Sequence, residues 1–423
     1  MKKWIALPLC LVLALGCFTG CDKGESTETQ STQTEEESAE TTEPAEDEAQ
    51  EVSLEGQSLT VYTALTEDSP AYAVYMEQVA AFEAATGATV TVDHYGENLA
   101  LVLDSALSNG STVDVFEVAD LTDLQRRQSS ALDLSTYAEG LDTAYPALLE
   151  QIRILCLDRL MGIPYGADLT AMWYNKASFE QAGVDEAPAD TEAFEAVCGK
   201  LAEAGYRPIA LDRAYVHANF GAHLERSIGM AALSELVQNG GWSGNEAAAS
   251  ALQTLIDWVG AGYFDENAPV DWPFSQLGLA DRTVMIYANM STLAIAEEMI
   301  GADLSWGCFP YPGTGSNILA DCGALCVNAE TLVPELAWEY IRFMTTGEAD
   351  KAISEAAGTI PNDSSNIGGT YAEAAAILAA AEGIRDPGAA VKSGTDLTEV
   401  IENIYRGTYP TGTEAAAALD ALY

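Results

Sequence analysis

Apolar residues recur along most of this chain in patterns that alternate between those typical of strands and those typical of helices. Short apolar or alternating runs predict strands at residues 58–64, 88–95, 113–118, 171–174, 206–211, 284–287 and 318–327. Helical patterns that begin at Tyr72 and Leu99 separate the first three strands, and Gly87 is placed to end the first helix. Strands that alternate with helices predict an α/β fold with a parallel sheet and crossover helices.

The second half of the chain adds further helical patterns. Helices are predicted at residues 191–204, 246–260 and 334–347, and over most of 371–423. Asp190 is a typical cap for the first of these helices, and Asn245 directly precedes the second. Residues 162–168 break the apolar pattern, and we expect them to interrupt the regular structure.

The N-terminal end has a different pattern. Lys2 and Lys3 precede an apolar run over residues 4–16, and a small residue stands directly before both Cys17 and Cys21. The apolar run is shorter than the ~20 residues that a membrane helix needs. The pattern therefore predicts a lipoprotein export signal that is removed, with acyl chains such as palmitate attached to Cys21. Cys17 is the alternative attachment site, and an uncleaved signal anchor is the alternative interpretation.

An acidic, polar stretch follows the predicted signal of residues 1–20. Residues 21–51 hold twelve acidic residues and one Lys, and almost no apolar residue larger than Ala. Such a composition cannot form a packed core, so we predict a disordered tether over residues 21–56. The predicted location is the outer face of the cell membrane, with the lipid as the only membrane contact.

Length and charge limit the classes of function. The chain has 423 residues, 48% of them hydrophobic, and a formal net charge of −47. This length predicts two lobes after the tether. The negative charge repels phosphate backbones, so we expect no nucleic-acid partner. We expect a monomer.

Five cysteines remain outside the N-terminal signal, namely Cys156, Cys198, Cys308, Cys322 and Cys326. An odd number cannot all pair, and no spacing typical of a metal site occurs. Cys198 shares a helical face with apolar residues, and Cys322 and Cys326 lie ~13 Å apart if residues 318–327 form a strand. We predict free thiols, no metal and no cofactor.

Aromatic residues stand beside carboxylates or amides at several predicted strand ends. The candidate ligand-binding residues are Tyr62, Thr63, Glu97, Glu117, Asp120, Tyr165, Asp168, Trp272, Phe274, Tyr287 and Asn289. Rings cover the apolar faces of sugars, and carboxylates and amides accept hydroxyl hydrogen bonds. Ligands of α/β sheets bind at the carboxyl ends of strands, which favours this interpretation. The alternative for each ring taken alone is packing in the core or on the surface.

One segment is specific enough to indicate a family. Residues 162–185 read GIPYGADLTAMWYNKASFEQAGVD. Positions that match the family pattern are Pro164, Tyr165, Asp168, Tyr174, Asn175, Lys176, Phe179, Ala182 and Gly183. The segment resembles the extracellular solute-binding proteins of family 1, which are sugar-type receptors of ABC importers related to maltodextrin-binding proteins. Further similar pieces occur in the expected order at residues 82–87, 114–124, 280–290, 306–313, 337–344 and 359–361.

The chain also departs from the family pattern. The departures are Tyr62-Thr63, Asp281-Arg282, Met290-Ser291 and Cys322-Gly323. They fall in regions that line the pocket in the family, so the identity of the ligand does not carry over. The Tyr174-Asn175-Lys176 sequence follows a predicted buried strand and leads into a helix, which favours a structural role for it.

The resemblance implies a fold and a function. It implies two α/β lobes of the type II periplasmic-binding-protein kind, with ligand in the cleft between them and chain crossings near Asp168, Thr314 and Thr346. The implied N-terminal lobe is residues 57–167 plus 315–345, and the implied C-terminal lobe is residues 168–314 plus 346–423. The implied function is a receptor that binds a sugar or oligosaccharide and delivers it to the permease subunits of an ABC importer.

Other functions are weighed against this one. A cationic ligand such as a polyamine would use Glu117, Asp120 and Asp168 as its acceptors. A secreted glycosidase would use two of these carboxylates as catalytic groups. An adhesin-like or sensor role is a further alternative. No nucleophile elbow, zinc motif or dinucleotide fingerprint occurs, so the sequence favours a binding protein without catalytic residues.

Overall fold

The computed structural model describes residues 53–110, 113–143, 145–265, 267–271, 283–300, 305–368, 371–391 and 395–423. The chain divides into two units, Met1–Glu51 and Val52–Tyr423, and the fold below is that of the second unit. The predicted signal, the tether to residue 52 and Cys17 and Cys21 lie outside the described residues. In the described part of the chain, no helix has both the length and the hydropathy that crossing a bilayer requires.

The described residues contain one mixed sheet. Its strands are β1 (Ser58–Thr63), β2 (Thr89–His94), β3 (Val115–Val118), β4 (Ile163–Asn175), β5 (Arg207–Ala210), β6 (Thr283–Asn289), β7 (Trp306–Phe309), β8 (Asn317–Val327) and β9 (Gly383–Ile384). Seven of them follow the order β2-β1-β3-β8-β4-β6-β5, while β7 pairs with β4 and β9 with β8. β1 is parallel to both β2 and β3, which confirms the predicted parallel arrangement. β8 runs antiparallel between β3 and β4.

Helices cover the sheet. They are α1 (Tyr72–Thr86), α2 (Leu99–Ser108), α3 (Leu121–Arg127), α4 (Pro146–Leu155), α5 (Lys176–Gln181), α6 (Thr191–Glu203), α7 (Val216–Asn239), α8 (Glu246–Gly260), α9 (Ser291–Ile300), α10 (Pro334–Met344), α11 (Gly347–Ala357), α12 (Ala372–Ala379), α13 (Pro387–Val391), α14 (Thr395–Tyr405) and α15 (Gly412–Asp420). Asp190 caps α6 by accepting from the Ala193 N–H at 2.8 Å, as predicted. Gly87 ends α1 with φ 72°, a conformation that glycine adopts without strain.

The expected interruption at residues 162–168 is wrong. This stretch is the first half of the 13-residue strand β4, and the predicted short strand at residues 171–174 is its second half. The pairing with β8 is irregular only between Tyr165 and Asp168, where Gly166 has φ 59°. Glycine at a bulge permits the local bend, and pairing with β8, with one added bridge between Ala167 and Ile360, outweighs the weak strand propensity of the segment.

Two hydrophobic cores flank β4. Trp173 belongs to the first core, whereas Met172 and Tyr174 belong to the second. This alternation follows from the two-residue period of a strand, because one strand can then contribute to cores on opposite faces. The structure is thus a mixed α/β fold of the two-lobe, periplasmic-binding-protein-like kind. The lobe boundaries given above stay a prediction.

The five cysteines outside the N-terminal region are all free and buried, as predicted. Cys198 is fully buried in the second core. Burial raises the pKa of the Cys198 thiol, and the charge of Glu195 raises it further. These thiols are therefore small core residues that remain protonated at neutral pH.

Candidate ligand-binding site

Glu117, on β3, holds the chain that leaves the end of β1. One of its carboxylate oxygens accepts from the Thr63 hydroxyl at 2.5 Å and from the Ala64 N–H at 3.0 Å. The Thr63 oxygen in turn accepts from the Leu65 N–H at 3.0 Å. Glu117 is only 9% exposed, so these donors replace the water that a buried carboxylate loses. The arrangement fixes the turn after β1.

Tyr165, on β4, lies beside Glu117. Burial raises the pKa of Tyr165 well above its usual range, and the charge of Glu117 raises it further. The ring has room only because its neighbour on β8 is Gly323, where an added Cβ would lie 2.8 Å from a ring carbon. The departure from the family pattern at Cys322-Gly323 therefore keeps a small residue at the position where Tyr165 needs it.

Tyr62 and Tyr95 form an aromatic edge at the ends of β1 and β2. Their ring centroids lie 4.8 Å apart with an interplanar angle of 61°. Glu97 is exposed one turn further along, in the short 3-10 helix Gly96–Asn98. Partly buried rings next to an exposed carboxylate can cover one face of a ligand and accept a hydrogen bond at its rim.

Asp168 lies at the irregular point of β4. Its carboxylate accepts from the Ser291 hydroxyl at 2.5 Å and from the Ser291 N–H at 3.2 Å. Asn289 hydrogen-bonds the same carboxylate, and its own side-chain oxygen accepts from the Thr170 hydroxyl at 2.5 Å. Burial nevertheless raises the pKa of Asp168, because these hydrogen bonds offset only part of the desolvation.

Asp321, on β8, is the cross-strand partner of Asp168. Its carboxylate accepts from the N–H groups of Cys322 and Leu121. Asp321 is an exposed residue, but partial desolvation of its carboxylate raises its pKa, and the charges of Asp120 and Asp168 raise it further. We call Asp120, Asp168 and Asp321 the acidic triplet. Among the described residues, no Lys or Arg forms an ion pair with any member of the triplet.

Asp120 also has a local role. It is the N-cap of α3 and accepts from the Asp123 N–H at 2.7 Å. Each carboxylate has about four acceptor positions, so Asp120 and Asp321, with one and two donors, keep capacity for a ligand, whereas Asp168 already accepts from four donors. Three acidic groups on adjoining elements, two within paired strands and one at the start of α3, therefore suit a ligand that brings several hydroxyl or amino hydrogens.

Tyr371 lies near Asp168 of the triplet. Burial raises the pKa of Tyr371, and the charges of Glu297 and Asp168 raise it further. It lines a pocket of 640 Å³. The other polar side chains of this pocket are Lys351, Ser354, Glu355, Thr359, Ser365 and Asn366. The pocket adjoins the bulge of β4, since a Cβ at Gly166 would lie 3.8 Å from the Thr359 methyl group.

The structure places Tyr287 apart from this group. Tyr287 is 4% exposed in the second core, and its ring lies 5.1 Å from that of Tyr311 at 81°. The crevice beside it has a volume of only 10 Å³, which is about one water. Trp272 and Phe274 lie outside the described residues, and their part in binding stays a prediction.

Sequence reasoning missed Asp321, Ser291 and Tyr371. Asp321 is the only acid within the apolar run of residues 318–327, which was the one available signal. Ser291 follows the predicted strand end and was visible only as a departure from the family pattern. Tyr371 lies far along the chain in an Ala-rich stretch, where nothing local indicates a site.

The Tyr174-Asn175-Lys176 sequence has structural contacts. Tyr174 stacks on Phe179 with centroids 4.0 Å apart. Asn175 caps α5 by accepting from the Ser178 N–H at 3.2 Å, and Lys176 pairs with Glu373 at 2.6 Å. These contacts join the end of β4 to α5 and α12. In the part of the chain that the structure describes, no three His, Cys, Asp or Glu residues are grouped so that they could hold a metal ion.

Comparison with known proteins identifies the class. Residues 77–379 match the family model described as bacterial extracellular solute-binding protein, and the chain belongs to this family. A sequence comparison with curated proteins gave no match. The family consists of binding proteins, which agrees with the sugar-receptor resemblance of residues 162–185.

Solved structures show the same fold. A probable secreted solute-binding lipoprotein from Streptomyces coelicolor has a TM-score of 0.67 at 17% identity, with 86% of this chain and 98% of that chain covered. Unliganded RafE from Streptococcus pneumoniae also has a TM-score of 0.67 at 17% identity, with 86% and 96% covered. RafE in complex with raffinose has a TM-score of 0.59 at 16% identity, with 86% and 98% covered.

Proposed function

We propose that this protein binds a neutral sugar or oligosaccharide in a cleft bounded by the acidic triplet, Tyr371 and the Tyr62–Tyr95 edge. The observation that carries the proposal is that Asp168 of the triplet acts electrostatically on Tyr371, which lines the pocket described above. Asp168 on β4 links the two parts of the site, since it is near Tyr371 in its pocket of 640 Å³ and is the cross-strand partner of Asp321, which in turn is near Asp120. Pockets for small ligands usually measure ~300–1,000 Å³.

The chemistry of these groups supports a carbohydrate. Sugar hydroxyls donate to carboxylates, and the ring of Tyr371 offers an apolar surface to the C–H face of a sugar. The side chains of Thr359, Ser365 and Asn366 supply further hydrogen-bonding groups in the same pocket. RafE, which has the same fold, is known in complex with raffinose, and this supports a sugar as the ligand here.

Delivery and anchoring are part of the same proposal. The protein hands its ligand to the transmembrane subunits of an ABC importer and is held at the outer membrane surface by a lipid on Cys21. The lipoprotein description of the Streptomyces coelicolor relative supports the anchor. Mass spectrometry of the membrane-extracted protein is expected to find an acylated N-terminal Cys21 peptide. Recovery of an unmodified chain that still contains Lys2 would contradict the anchor.

We also propose that the protein has no hydrolytic activity. Family membership supports this, because the family consists of binding proteins. Incubation with oligosaccharides is expected to leave them intact by chromatography. A glycosidase would need two of the acids of the site, so turnover that disappears in Asp168→Asn or Asp321→Asn would overturn the proposal.

Calorimetric titration with neutral oligosaccharides tests the binding site. Raffinose is a suitable first ligand. Tyr371→Ala is expected to weaken binding, whereas Tyr206→Ala is expected to leave it unchanged. Tyr206 is a matched control because it precedes β5 and bonds Gln181 at 2.8 Å, at the amino end of that strand and away from the triplet. Equal affinities for the two variants would contradict the assignment of Tyr371.

A cationic ligand such as a polyamine is the second candidate. The absence of an ion-pair partner for the triplet among the described residues favours it, since three carboxylates would attract ammonium groups. The two candidates differ in their salt dependence. Salt screens a pair of charges and leaves a hydroxyl–carboxylate hydrogen bond little changed.

A further inference from the structure

A second pocket, of 290 Å³, lies between α7 and the turn that leads into β8. The residues that line it are Glu225, Arg226, Gly229, Met230, Gly313, Thr314, Asn317 and Arg385. It shares no lining residue with the pocket of Tyr371. Two of its eight lining residues are arginines, whereas the whole chain has 18 basic and 65 acidic residues. A concentration of positive groups is thus unusual for this chain.

Arg226 is held by neutral groups. Its guanidinium donates to the Pro312 carbonyl at 3.2 Å and to the Thr191 hydroxyl at 3.3 Å, and it lies 4.7 Å from the centroid of the Trp258 ring. Among the described residues, no carboxylate forms an ion pair with Arg226. Arg226 is half-buried, and burial lowers the pKa of its guanidinium, although the charge of Glu195 raises this pKa in part. A desolvated cation of this kind is stabilised by any anion that reaches it.

Arg385 lies on the same pocket and is more exposed. Its Nε donates to the Asn317 side-chain oxygen at 3.0 Å, and the same atom is 3.9 Å from a Glu225 carboxylate oxygen. Burial raises the pKa of Glu225, and Arg385 lowers it in part. The lining of the pocket therefore includes two arginines and one acidic residue. The 3.9 Å pair is too long for a strong charge-assisted hydrogen bond, so Arg385 remains able to bind a second acceptor.

The backbone adds to the positive character of the pocket. Gly229 has φ 76° and ψ 158°, which interrupts α7 so that a new helical segment starts at Met230. The amino end of a helix carries a partial positive charge and unpaired N–H groups. Gly229 and Gly313 have φ 76° and 92°. Because neither has a side chain, the backbone is open to the pocket at both positions. The hydroxyl of Thr314 is a further donor at the wall.

We propose that this pocket binds a small oxyanion such as inorganic phosphate, held between the guanidinium groups of Arg226 and Arg385. Planar guanidinium groups match the geometry of phosphate and carboxylate oxygens. A bound oxyanion would connect α7 with the Gly313–Thr314 turn directly before β8. The proposal does not depend on the identity of the ligand in the cleft.

The test is a thermal-shift titration of the full chain, purified in detergent, with sodium phosphate at constant ionic strength. Phosphate is expected to raise Tm in a saturable way, while sodium chloride at equal ionic strength is not. Parallel titrations with sulfate and acetate distinguish a general oxyanion site from one restricted to phosphate. A phosphate response no larger than that of chloride would overturn the proposal.

Variants locate the site. Arg385→Gln is expected to weaken the phosphate response about tenfold or more, because a charge-assisted contact is lost. Arg342→Gln is the matched control, since Arg342 is exposed on α10 and pairs with Glu339 at 2.5 Å. An equal response in both variants would contradict the assignment of Arg385. Arg226→Lys, which keeps the charge but loses the planar fork, is expected to bind phosphate more weakly than the unmodified chain, and unchanged binding would contradict the role of Arg226.

Discussion

Glu117 and Asp168 follow the same sequence pattern, an acid at the end of a predicted strand, but the structure gives them different surroundings. Glu117 is a single carboxylate that accepts from Thr63 and Ala64 and so fixes the turn after β1. Asp168 faces Asp321 across two antiparallel strands, and desolvation raises the pKa of both. Glu117 therefore stabilises the turn after β1, whereas Asp168 and Asp321 are like charges on paired strands and lower the stability of the fold.

The largest effect is expected for Glu117→Ala. This change leaves the Thr63 hydroxyl and the Ala64 N–H without their acceptor in a buried place, and we expect the free energy of unfolding to fall by about 2–4 kcal/mol. Urea unfolding measures it. Glu97→Ala is the control, because Glu97 is exposed and its loss is expected to change stability by less than about 0.5 kcal/mol. Equal losses in the two variants would show that Glu117 has no organising role.

A smaller loss of stability, together with a loss of binding, is expected at Asp168 of the triplet. Asp168→Asn replaces an acceptor by a donor and removes a charge, and we expect ligand affinity to fall by about one to two decades. Calorimetric titration measures this. If ligand affinity survives in Asp168→Asn but disappears in a folded Glu117→Gln variant, Glu117 is the ligand-binding acid and Asp168 is not.

The smallest effect is expected for the stability of Asp321→Asn. Removing one of two like charges on opposite strands is expected to stabilise the fold by about 0.2–1 kcal/mol at neutral pH. The folded-state pKa of both acids is raised, so the folded protein binds more protons than the unfolded chain in the window between their ordinary and raised pKa values. Their unfavourable contribution is therefore present at neutral pH and decreases as the pH falls through that window.

Unfolding experiments at pH 7 and near pH 4 check this linkage. The advantage of Asp321→Asn over the unmodified chain is expected to be largest at pH 7 and to shrink at the lower pH. Glu97→Ala again serves as the control for a general effect of lost negative charge. An advantage that grows on acidification would mean that the Asp168–Asp321 pair does not have the raised pKa values on which this prediction rests.

The sequence was sufficient for many elements of the fold, although it gave no sign of α4, α7 or β7. Hydrophobic periodicity located the first three strands and their parallel pairing, and Asp190 marked the start of α6. The prediction failed at residues 162–168. Gly and Pro indicate a break there, but pairing with β8 makes the segment a strand. Local propensity is weak evidence where pairing with a neighbouring strand decides the conformation.

The site was less predictable for a related reason. Asp168 was found, but its partner Asp321 depends on the register between β4 and β8, and register cannot be read from either strand alone. Tyr371 follows α11 in the chain, and only the tertiary fold brings it near Asp168. Tyr287 satisfied the strand-end pattern, yet the alternation of β6 turns it into the second core.

The central claim is that the acids of the triplet accept hydrogen bonds from a neutral sugar. Calorimetric titration of raffinose and other neutral oligosaccharides at about 0.05 M and 0.5 M salt, with the unmodified chain and with Asp168→Asn, tests it most directly. The account predicts binding by the unmodified chain that changes little with salt and weakens strongly in Asp168→Asn. Affinity confined to polyamines and falling about tenfold or more with salt would contradict it, as would sugar binding that Asp168→Asn leaves intact.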